Sequence, residues 1–130
     1  MTKIKIIIDY QVKSFKLLFY ECRCVGSVNF KKFYRNNITD MSEMFSRCSS
    51  LKKLNLNNFN TNNVTDMSSM FRGCSSLKEL NLNNFNTNNE TDVSYMLSGC
   101  SYDLKMKIKS ENKNIKDEAF YLWWLNKNKY

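Results

Sequence analysis

A chain of 130 residues with 42% hydrophobic content has room for one domain around a single core, which excludes a disordered chain. The formal charge of +8 sits at one end: residues 1–37 carry eight Lys or Arg against two Asp or Glu, residues 38–89 five against four, and residues 90–130 seven against six. Histidine is absent, so mechanisms that use imidazole as base, proton shuttle or metal ligand are excluded.

Read from the N-terminus, Met1 to Asp9 contains three consecutive apolar residues, Ile6, Ile7 and Ile8, too short a run for a signal-peptide core. No stretch approaches the roughly 18 apolar residues of a membrane span. An odd number of cysteines, Cys22, Cys24, Cys48, Cys74 and Cys100, argues against a secreted disulfide framework. The expectation is a cytoplasmic protein, with residues 1–11 as a cap strand carrying Lys3 and Lys5.

Residues 38–63 and 64–89 are near-copies that differ at only five positions, 64, 69, 72, 73 and 79 of the second. Residues 90–115 start as a third copy with Thr91, Asp92, Met96, Gly99 and Cys100 and then drift. Residues 12–37 keep only an apolar skeleton: Val12, Phe15, Leu18, Phe19, Cys22, Val25, Val28, Phe30 and Phe33 fall on Ile38, Met41, Met44, Phe45, Cys48, Leu51, Leu54, Leu56 and Phe59. A period of 26 residues predicts stacked coils, each too small to fold without its neighbours.

Within a coil, Met67, Met70, Phe71 and Cys74 lie at i, i+3, i+4 and i+7, the spacing of a short helix. Thr65 or Asp66 is its expected N-cap, and Asp40 with Glu43 has the spacing of a capping box. Leu80 and Leu82 then alternate with Glu79, Asn81 and Asn83, the pattern of a strand with one apolar face. The same alternation carried forward places Lys105, Lys107 and Lys109 outward on a further strand, with Met106 and Ile108 inward. Residues 116–130 close the chain as a capping helix, its apolar face beginning at Ile115 and continuing through Ala119, Leu122 and Trp123.

The runs Val64-Thr65-Asp66-Met67-Ser68-Ser69-Met70-Phe71-Arg72-Gly73-Cys74-Ser75-Ser76-Leu77 and Leu80-Asn81-Leu82-Asn83-Asn84-Phe85-Asn86-Thr87 closely resemble the BspA-type leucine-rich repeat, known also from mycoplasma lipoprotein-associated repeats. The resemblance covers residues 38–103. It implies an α/β solenoid, a leucine-rich-repeat-like right-handed coil with a parallel sheet on one face and short helices on the other, ending in the C-terminal capping helix. It also implies interaction or adhesion at a cell surface.

The outward strand positions make one continuous face, so Lys53, Asn55, Asn57, Glu79, Asn81, Asn83, Lys105 and Lys107 are the candidate partner-binding residues. Lys53, Glu79 and Lys105 alternate in sign across the expected strands. The competing reading of the asparagines is a hydrogen-bonded ladder that holds the coils in register. The lysines of the terminal strands likewise have an alternative role in deterring sheet-edge aggregation. The cysteines that recur every 26 residues lie on neighbouring helices about 8–10 Å apart, too far for a disulfide, and read as small apolar residues. Cys24 stands outside that column. Asp40, Asp66 and Asp92 read as helix caps rather than as a calcium ladder, and equivalent positions on a convex side supply no catalytic cleft.

The function expected is a non-enzymatic protein-protein interaction module without cofactor or metal. Two alternatives stand beside it: a surface adhesion or host-interaction fragment of a longer protein, and a nucleic-acid or anionic-surface binder using Lys3, Lys5, Lys13, Lys16, Lys31 and Lys32.

Overall fold

The computed structural model describes residues 5–8, 11–30, 36–88 and 90–121. Three short strands, β1 (Ser27–Asn29), β2 (Lys53–Asn55) and β3 (Glu79–Leu80), form a parallel sheet in the order β1-β2-β3. Val28 pairs with Leu54 and Leu54 with Leu80, so partners are 26 residues apart. The alternation of apolar and polar residues explains which way each side chain points. Leu54 and Leu80 are buried, whereas Lys53, Asn55 and Glu79 are exposed.

The apolar stripe that suggested a helix is inside, for Met41, Met44, Phe45 and Cys48 are all buried, but it is not helical. Met44, Ser46 and Cys48 donate their N–H groups to the carbonyls of Met41, Glu43 and Phe45, making consecutive tight turns. The N–H groups between them leave the segment. Those of Met41, Glu43, Phe45 and Arg47 donate to the carbonyls of Asp66, Ser68, Met70 and Arg72 at 2.8, 3.0, 2.9 and 2.6 Å. An α-helix starting at Asp40 would need the Phe45 and Arg47 N–H groups for Met41 and Glu43, four residues back, so the cross-segment bonds exclude it. The turns also require left-handed backbone at Glu43 (φ 54°), Arg47 (φ 62°), Ser69 (φ 55°) and Tyr95 (φ 56°).

The fold-class expectation is therefore corrected. The described residues build a small three-stranded parallel sheet with one α-helix, not an α/β solenoid with a helix in every coil. The capping role expected for the aspartates changes with it. Asp40, Asp66 and Asp92 accept, through Oδ1, the backbone N–H of Ser42, Ser68 and Ser94 at 2.9 Å each, closing a turn on the residue two positions on. The same serines add a hydroxyl bond of 2.6, 2.6 and 2.7 Å.

The core lies between the sheet and these turns. Phe45 stacks on Phe19 at 5.2 Å and on Phe71 at 6.0 Å between ring centroids, while Phe30 meets Phe59 edge-on at 4.8 Å. Cys48, Cys74 and Cys100 are buried free thiols on the turns, and their Sγ atoms donate to the carbonyls of Phe19, Phe45 and Phe71. Thr61 and Thr91 are buried with their hydroxyls bonded to backbone carbonyls of Asn86 and Val64.

The segment expected to supply a further strand is instead α1 (Tyr102–Glu111). Ser101 caps it by accepting the Leu104 N–H, Asp103 lies in the first turn and Lys109 in the last, each suited to the helix dipole. Leu104 and Ile108, one turn apart, are buried, whereas Met106 is 39% exposed rather than inward. Lys105 and Lys107 thus belong to a helix.

The turn row ends at a 3-10 helix, Asp117–Phe120, where the expected capping helix begins; residues 122–130 lie outside the described residues. The N–H groups of Tyr95 and Leu97 donate to Glu118 and Ala119, and the Lys116 ammonium reaches the Thr91 carbonyl at 2.7 Å. At the other end, residues 5–8 form no strand and Gln11 lies in a turn; residues 1–4 and 9–10 of the expected cap strand fall outside the described residues, as does Phe33. Val12, Leu18, Phe19, Cys22, Val25, Val28 and Phe30 pack against the core but are only partly buried.

Candidate functional site

With its leucines turned inward, the sheet presents polar side chains outward, and α1 rises beside β3. Between them runs an open groove of about 600 Å³. Lys53, Asn55 and Asn57 from β2 and its exit, Glu79, Asn81 and Asn83 from β3 and its exit, and Lys107 from α1 all line it. Lys105 does not. Ser27 and Asn29 extend the lining onto β1.

The amides are held by their own backbone. Asn55 Oδ1 accepts the Asn57 N–H at 3.0 Å and Asn81 Oδ1 accepts the Asn83 N–H at 2.8 Å. This fixes each side-chain carbonyl and leaves its NH₂ group as a donor. Asn84 Nδ2 donates to the Asn57 carbonyl, and Asn63 Nδ2 to that of Asn36 at 2.5 Å, so some of the asparagines do tie neighbouring segments together. Charges alternate across the groove. Lys53 Nζ lies 3.6 Å from Glu79 Oε1, with both side chains about two-thirds exposed, which limits the pair to about 0–1 kcal/mol. The alternation expected to continue to Lys105 stops there.

Glu111 also lines the groove, a residue that the strand pattern did not single out. Its signal was the helical spacing of Leu104 and Ile108, which places Lys107 and Glu111, four residues apart, together on another side of the same helix.

The other candidates are dispersed. Lys5, Lys13 and Lys16 are exposed, while Lys3, Lys31 and Lys32 lie outside the described residues. Glu21 is held below the usual carboxylate range first by its hydrogen bond from Arg47, 2.8 Å away, and the same bond raises the guanidinium. Burial pushes the Cys48 thiol up to about 11 and the Cys100 thiol up to about 12, and raises Cys74 further. Cys24 is exposed. Among the described residues no group of His, Cys, Asp or Glu is placed to hold a metal ion, and no helix is long and apolar enough to cross a membrane.

Residues 13–121 match the family model described as Mycoplasma protein of unknown function, DUF285. The chain belongs to this family. That finding corrects the resemblance to BspA-type leucine-rich repeats. No curated protein and no solved structure matches the chain.

Proposed function

We propose that this DUF285 chain is a non-enzymatic binding module that holds a protein partner against the outward face of its sheet. The observation that carries the reading is the convergence of Lys53, Asn55, Asn57, Glu79, Asn81, Asn83 and Lys107 on one groove. Such a surface suits a polar polypeptide. Amide donors oriented by their own turns meet backbone carbonyls, and the opposite charges of Lys53 and Glu79 set the register of charged side chains.

Photo-crosslinking tests it. A photoreactive residue in place of Asn55 labels the partner, and one in place of exposed Asn62, outside the groove, does not. Affinity for the purified partner then falls at least ten-fold in Lys53→Glu and in Lys107→Glu, with unchanged circular dichroism. Equal labelling from both positions, or unchanged affinity in both variants, contradicts the proposal.

A further inference from the structure

The two ends of the turn row differ. Each segment donates alternate N–H groups to the carbonyls of the segment that follows: Phe15, Leu17, Phe19 and Glu21 to Asp40, Ser42, Met44 and Ser46, then Met41 onward to Asp66 onward. At the C-terminal end, two of the four last donors, Tyr95 and Leu97, are satisfied by Glu118 and Ala119. At the N-terminal end the matching acceptors are the carbonyls of Ser14, Lys16, Leu18 and Tyr20. None of these four accepts a hydrogen bond among the described residues.

Three further observations fall at the same end. Among the described residues, strand β1 is an edge of the sheet. Apolar surface is uncovered, for Leu17 is 43% and Tyr20 36% exposed, and Leu18, Phe19 and Val28 are only partly buried where their counterparts Met44, Phe45 and Leu54 are buried. Lys13, Lys16 and Arg23 are exposed on this turn row, and Glu21, the acidic group beside them, is already engaged by Arg47 and Arg23.

We infer that this end receives an acidic segment of another protein that takes up the same consecutive turns, runs parallel to the chain, donates alternate backbone N–H groups to Ser14, Lys16, Leu18 and Tyr20, and covers Leu17 and Leu18 with apolar side chains. Unpaired backbone acceptors of this kind are completed by an added segment, as a sheet edge is by an added strand, with main-chain bonds supplying affinity and side chains supplying choice. A second copy is a poor occupant. Two such ends brought together oppose acceptor to acceptor and lysine to lysine, and at the opposite end Glu118 and Ala119 already take the Tyr95 and Leu97 donors in the middle of the row. The acidic character follows from the exposed Lys13, Lys16 and Arg23.

The test uses the full chain and a fluorescein-labelled peptide with the sequence of residues 38–63, carrying Glu in place of Arg47, Lys52 and Lys53. This segment already displays the required donors at Met41, Glu43, Phe45 and position 47. Fluorescence anisotropy is expected to show saturable binding, at least ten-fold weaker to Lys13→Glu/Lys16→Glu and unaffected by Lys53→Glu. N-methylation of the peptide at positions 41, 43, 45 and 47 is expected to abolish binding. No binding at millimolar peptide, or equal binding of the N-methylated peptide, overturns the inference. So does tighter capture of a labelled single-stranded oligonucleotide than of the peptide, or a dimer of the free chain by light scattering. Because Lys53→Glu leaves this binding intact, failure here is separable from failure of the groove proposal.

Discussion

Leu54 and Leu80 lie side by side on adjoining parallel strands, in direct register although separated by 26 residues of chain. Both are buried, at 4% and 6% exposure, so the residues flanking them are turned outward together. The groove exists because of this pairing. Its polar lining comes from positions whose neighbours in sequence are committed to the core.

The core should be intolerant of truncation where aromatic rings meet. Phe71 is fully buried and stacks on Phe45 at 6.0 Å. Phe71→Ala is expected to lower unfolding free energy by about 3–5 kcal/mol, read from the urea midpoint. A loss below about 1 kcal/mol would show that the ring is not packed as described.

Backbone conformation gives two opposite expectations within the turn row. Gly99 has φ of +80°, and a Cβ there would lie 3.1 Å from the Gly73 nitrogen and 3.2 Å from its Cα, both backbone atoms. Gly99→Ala is expected to destabilise by about 1–3 kcal/mol. Ser69 holds φ of +55° with a side chain, so Ser69→Gly is expected to be neutral or to stabilise by up to about 1 kcal/mol. Thermal melts of the two variants shifting in the same direction would contradict this assignment.

The aspartate turns are testable by an isostere. Asp66 accepts the N–H and the hydroxyl of Ser68 through one oxygen. Asp66→Ala is expected to cost about 1–2 kcal/mol, and Asp66→Asn, which keeps that oxygen, less than half as much. Equal losses in urea unfolding would mean that the oxygen is not the stabilising atom.

Between residues 38 and 100 the placement of core residues was legible from the sequence, and their conformation was not. Met41, Met44, Phe45 and Cys48 at helical spacing do face inward, yet two turns in series return side chains to the same side as two turns of helix. Gly73 and Gly99 were the visible sign of left-handed backbone, but Glu43, Arg47, Ser69 and Tyr95 adopt it without any such sign. Leu104, Met106 and Ile108 alternate like a strand, and Leu104 with Ile108 equally fits a helix. Ser101 and the lysine-rich composition around them decide for the helix. For the groove, Lys53 through Asn83 followed from alternation, while Glu111 required knowing that α1 stands beside β3.

The thiols link burial to pH. The folded state holds Cys48 and Cys100 protonated up to about 11 and about 12, whereas exposed thiols ionise near 9. Above that pH the unfolded chain binds fewer protons, so stability falls as pH rises from about 9 through 11 to 12. The urea midpoint is expected to drop between pH 8 and pH 10.5, and to drop less in Cys48→Ala. A midpoint that rises with pH would contradict the burial of these groups. Under native conditions at pH 8, Ellman's reagent is expected to modify exposed Cys24 and to reach Cys48, Cys74 and Cys100 only on unfolding.

The most direct test of the pairing on which the groove rests is a cross-strand disulfide. Lys53 and Glu79 are register partners, and adjoining strands about 4.8 Å apart fall within the Cα separation a disulfide accepts. In a Cys24→Ser background, Lys53→Cys/Glu79→Cys is expected to lose two thiols under mild oxidation without aggregation, as read by mass and thiol titration. Lys53→Cys/Asn83→Cys is expected to keep both. Efficient closure of the second pair, with none in the first, would contradict the register of β2 and β3.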